Sequence, residues 1–127
     1  MTMHRQGDIL FVRLLSTPNG ATAAPTNGAI VVLAEGETTG HAHAIRSGTA
    51  VVYEPSDPLG EARRLLREAT GTTPQLAAAH APVFLCATAP TPVEHEEHDV
   101  VVLEPGEWVV LRQAEWSDDD EPIQVRD

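Results

Sequence analysis

The chain has 127 residues, eight basic against nineteen acidic, for a formal charge of −11. That length suits one domain and excludes two independent cores. Every basic residue is Arg; neither a nucleic-acid partner, which needs a basic stripe against phosphates, nor an anionic membrane surface is expected.

Residues 1–8 (MTMHRQGD) hold no apolar stretch of a signal peptide, and no apolar run approaches the ~20 residues of a membrane helix, so a soluble cytoplasmic protein is expected. Residues 9–15 (ILFVRLL) follow a Gly-Asp turn and read as a strand. Residues 19–28 mix Ala, Thr, Pro, Asn and Gly without period and read as a loop. Residues 29–34 (AIVVLA), 38–45 and 49–54 (TAVVYE) read as further strands, the last stopped by Pro55 and Pro58.

Residues 59–69 (LGEARRLLREA) change period. Ala62, Leu65, Leu66 and Ala69 recur at helical spacing with Arg63, Arg64 and Arg67 opposite, and Gly71 ends the run. Residues 56–81 are therefore expected to be a helical insert, with another turn over 74–80. The β pattern resumes at 82–88 (PVFLCAT), 92–95, 99–103 (DVVVL) and 108–113 (WVVLRQ), the last after a Pro105-Gly106 turn.

These elements predict an all-β fold, a mainly antiparallel small barrel or sandwich with one short helical insertion, over 1–114. Residues 115–127 form an acidic tail. The run Val100-Val101-Val102 suggests a strand covered on both faces, by the insert or by a second copy in a homo-oligomer. The single cysteine, Cys86, lies in an apolar run and is expected to be a buried, inert thiol. Trp108 is expected to pack, and Asp8 to make a turn-side hydrogen bond.

Four of the six histidines fall in two groups, Gly40-His41-Ala42-His43 and Glu94-His95-Glu96-Glu97-His98. On a strand, His41 and His43 share a face and present two imidazoles to one point. His95 and His98, three apart, converge only across a bulge or turn. His41, His43, His98 and either His95 or Glu94 would make a shell for a divalent metal ion, Zn, Fe, Mn or Ni. Glu96 or Glu97 would then serve as general base on a metal-bound water in a hydrolase or an oxygenase-type enzyme. The competing expectation places exposed imidazoles on turns.

Several segments together resemble a group of small, uncharacterised bacterial β-proteins: Arg5-Gln6-Gly7-Asp8, the stretch 34–43 ending in GHAH, His95-Glu96-Glu97-His98, and Pro105-Gly106-Glu107-Trp108. More loosely, the HxH pair is similar to the first motif of cupins, whose resemblance implies a β-barrel with a metal held by that pair and a third His. The position of that third His holds Val109 and Val110, so His95 or His98 would supply it.

The charge divides accordingly. Residues 94–112 and 115–127 each hold six acids and one Arg. The first stretch surrounds the histidines, where acids favour a cation. The tail suits a basic protein partner, the basis for an alternative function as a non-catalytic accessory module or structural subunit.

Overall fold

The computed structural model describes residues 2–24, 30–35, 40–72 and 81–112. The β-rich runs become β1 (Met3–Gln6), β2 (Ile9–Arg13), β3 (Thr22–Ala23), β4 (Val31–Glu35), β5 (Ala42–Ile45), β6 (Ala50–Glu54), β7 (Val83–Ala87), β8 (Thr91–Val93), β9 (Val101–Leu103) and β10 (Gly106–Arg112), with α1 (Pro58–Thr70) between β6 and β7. Every strand pairing is antiparallel. Six strands form one sheet in the order β1-β2-β10-β7-β6-β3, and β4–β5 and β8–β9 form two ribbons.

The fold is all-β with one helix, as its sequence indicates. Among the described residues the sheets do not close into a barrel, which corrects the barrel and cupin expectation in favour of layers. The reason lies in the edges: β1 and β3 terminate opposite sides of the large sheet, while the ribbons join each other. Ala44 and Glu94 exchange backbone bonds of 2.9 and 2.8 Å across that junction.

Strand alternation gives the large sheet two different faces. Leu10, Val12, Leu14, Phe84, Val109 and Leu111 pack against Ala62, Leu65 and Leu66 of α1. Ile9, Phe11, Leu85, Trp108 and Val110 pack against Leu33, Ile45, Val93 and Leu103 of the ribbons. The insert is thus a structural cover for the face away from the ribbons. Asp57 caps α1 by accepting from the Gly60 N–H at 3.1 Å, Pro58 opens its first turn, and left-handed Gly71 closes it. Arg63, Arg64 and Arg67 face solvent.

β1 and β3 have no counterpart in the sequence expectation. MHRQ lacks apolar alternation, and Thr22–Ala23 lies within the stretch read as loop. Val101 packs on the core, and Val100 and Val102 are about half exposed in the single chain, so the helical insert does not cover their face. Cys86 is only partly covered, and burial is the main cause that pushes its thiol up, which agrees with an inert group. Residues 74–80, Trp116 and the acidic tail lie outside the described residues. Among those described, no helix is long and apolar enough to cross a membrane.

Candidate metal centre

Ala42 to Ile45 form an extended strand with His41 directly before it, so His41 and His43 project to one side, with His43 1% exposed. β5 is fastened to the loop after β8 by the Ala44–Glu94 bridge and by the Ala42 N–H, which donates to Glu96 Oε2 at 2.9 Å. That seam brings the two histidine groups together. His95 lies 4.4 Å from His43, 4.5 Å from His98 and 5.6 Å from His41 by ring centroids, and His43 and His98 stack at 6.3 Å.

His95 and His98 reach the same place because the loop turns between them. His95 Nδ1 accepts from the Glu97 N–H at 3.1 Å and the His98 N–H at 3.3 Å. This is a side-chain-to-backbone turn of the kind short polar residues make. An accepting Nδ1 puts the proton of neutral His95 on Nε2, and these bonds give His95 a part in shaping the loop.

His43 has the opposite tautomer. Gln6, 2% exposed, donates through Nε2 to Val93 O at 2.8 Å and Asp99 O at 2.9 Å. Only an NH₂ group can do that, so its Oε1 faces His43 Nδ1 at 2.8 Å and must accept. The proton of His43 therefore sits on Nδ1, and Nε2 faces Asp8 Oδ1 at 3.4 Å. The second Asp8 oxygen accepts from Arg112 at 2.8 Å. A two-residue hairpin loop holds this corner together, with Gly7 at φ 59° in the left-handed region that its first position requires.

Gln6 and Asp8 are the site residues that sequence reasoning did not single out. Their one signal is a polar pair flanking a glycine directly before an apolar strand. Asp8 makes more than the turn-side contact expected of it.

The acidic candidates separate. Glu94 is half exposed and pairs with Arg46 at 3.5 Å. Glu96 is held below the usual carboxylate range, mainly by the Ala42 N–H, which suits a clamp and weakens it as a base. Glu97 Oε1 stands 3.5 Å from His41 Nδ1, where a carboxylate orients an imidazole. His4 meets both oxygens of Glu104 at 3.1 and 3.2 Å beside Trp108.

Among the described residues, no three His, Cys, Asp or Glu side chains stand as a finished shell for a metal ion. The donors are gathered, but not closed on one point.

No curated protein and no solved structure matches the chain. A family model does, across residues 5–113, a span that takes in every residue of this site. The chain belongs to that family, described as a domain of unknown function (DUF8820).

Proposed function

We propose that this protein binds a divalent transition-metal ion between its two histidine segments, with His41, His43 and His98 as the imidazole ligands. The observation that carries the reading is the gathering of four rings within 4.4–6.3 Å of their neighbours. Three of these distances run through His95, and the His43–His98 pair at 6.3 Å exceeds the roughly 4.5–5 Å that imidazoles about 2.1 Å from one ion adopt, so closing a shell requires side-chain movement. The orientation of the first pair supports it too. Gln6 on His43 Nδ1 and Glu97 near His41 Nδ1 are the partners that outer-shell groups supply to metal-bound imidazoles, leaving Nε2 for the ion.

Any chemistry the ion supports, hydrolytic or oxidative, would draw on the same shell. Glu96 is committed to the Ala42 N–H and Glu97 to His41, so both support the ligands in this reading instead of acting on a bound water.

One observation favours a second reading, a metal-free imidazole–carboxylate network: His95 Nδ1 accepts backbone N–H groups and no finished shell stands among the described residues. Elemental analysis of protein prepared without chelator separates the two. The metal reading expects near-stoichiometric metal in the wild type and its loss in His41→Ala/His43→Ala. Only traces in the wild type, after exposure to Zn²⁺, Fe²⁺, Mn²⁺ and Ni²⁺ in turn, would leave the network reading standing.

A further inference from the structure

We infer that the outer face of the ribbon layer is a docking surface for a second copy of this chain, which meets it face to face about a two-fold axis running along the strands.

The ribbons join through the Ala44–Glu94 bridge into one layer in the order β4-β5-β8-β9. Its inner side is fixed by Val31, Ile45, Val93 and Val101, which pack on the core of the large sheet. Alternation turns their neighbours outward. Ile30 and Val32 flank Val31 on one edge of the layer, and Val100 and Val102 flank Val101 on the other. Each of these four is about half exposed, and they are four of the six large apolar side chains exposed among the described residues. Ala44 pairs with Val32 and Pro92 with Val102, so the ground between the two edges is apolar as well. Apolar side chains gathered on one face mark a contact surface, whereas scattered ones carry no such meaning.

Charge commits this face to a second copy. Two chains of −11 repel, so they can meet only where the local charge is low. The inner strands of the layer contribute Arg46 and Glu94, paired at 3.5 Å and each about half exposed, which keeps the centre of the face neutral. A two-fold axis along the strands lays the β4 edge of one copy over the β9 edge of the other, apolar on apolar. The same rotation brings each Arg46 beside the partner subunit's Glu94, so the face is complementary to itself, as an isologous contact requires. Two sheets stacked in this way stand about 10 Å apart with their side chains interleaved. The helical insert is no competitor, because it covers the far side of the large sheet.

The test is sedimentation equilibrium of the full chain from micromolar to millimolar concentration. The wild type is expected to pass from the 13.6 kDa of one chain to twice that mass. Val102→Asp sets an unpaired acid into the contact and is expected to weaken association about tenfold or more. Leu15→Asp adds the same charge beyond the end of β2 and is expected to leave association unchanged. Arg46→Glu and Glu94→Arg should each be monomeric alone, because each sets like charges against its own copy. Mixed, they should recover the dimer, since an acidic face then meets a basic one, and recovery also shows that both variants fold. A wild type that stays monomeric throughout overturns the inference and leaves the face to a different protein or to solvent. Equal weakening by Val102→Asp and Leu15→Asp, or a dimer that Val102→Asp leaves intact, overturns it too. So does a mixture of the two charge variants, both folded by circular dichroism, that stays monomeric. Should a charge variant not fold, the comparison of Val102→Asp with Leu15→Asp decides alone.

Discussion

The two faces of the six-stranded sheet are built from the same strands but differ in kind. Toward α1 the packed residues are aliphatic and aromatic throughout, Leu and Val from β2 and β10 against Ala62, Leu65 and Leu66. Toward the ribbons, an equally apolar core runs into Gln6, His43 and Thr91, which are the buried polar side chains among the described residues. Burying such groups is costly unless each is hydrogen-bonded, so a face that accepts them has a use beyond stability. The helix side holds the sheet together, and the ribbon side carries the histidines proposed to bind metal.

The largest expected effect breaks the helix side alone. Leu65→Ala empties a fully buried position and is expected to destabilise the fold by about 2–5 kcal/mol in chemical unfolding. Metal uptake per folded chain should stay at the wild-type level. A selective loss of metal in a folded Leu65→Ala protein would break the division between the faces.

Next comes a substitution that couples both properties on the ribbon side. Gln6→Leu leaves Val93 O, Asp99 O and His43 Nδ1 without their amide partner and is expected to cost about 1–3 kcal/mol. Metal affinity should fall with it by about 10–100-fold. Stability lost with affinity intact would make Gln6 a core residue only.

The two histidine segments differ more finely. His43→Asn should abolish stoichiometric metal, since Asn cannot supply the ring nitrogen at Nε2. His95→Asn keeps an acceptor near Nδ1 for the Glu97 and His98 N–H groups, and should retain it. Elemental analysis of the two variants side by side checks this, and metal loss in both would make His95 a ligand.

The smallest effect is one of pH. The Ala42 N–H lowers the Glu96 carboxyl from its ordinary 4.5, so the clamp contributes stability above that value. This contribution is lost as pH falls through the lowered folded value. Glu96→Gln should therefore flatten the acid side of the stability–pH curve below about pH 4.5 and leave the neutral side in place. An unchanged acid limb would show that the clamp carries no net stability.

Much of this division is legible in the sequence, though unevenly. The apolar runs of 9–15 and 108–113 announce strands, and the spacing of Ala62, Leu65 and Leu66 announces a helix. His41 and His43 share a face because a strand has period two, which needs no tertiary knowledge. The convergence of His95 with His98 is less accessible, because it depends on a turn held by a side chain on backbone N–H groups. Gln6 and Asp8 are least accessible of all. Their partners are 35 to 104 positions away, and β1 shows no apolar alternation to mark it as a strand. The choice between barrel and sandwich stayed open in the sequence for a related reason: strand count and turn spacing do not reveal which edges meet.

The most direct measurement is X-ray absorption at the edge of the metal taken up by the wild-type chain. The spectrum should show multiple-scattering features of about three imidazoles with light-atom distances near 2.0–2.1 Å, and lose one imidazole's share in His98→Ala. A bound ion surrounded by oxygen alone, or no stoichiometric uptake to measure, would contradict the assignment of the ribbon face as a metal centre.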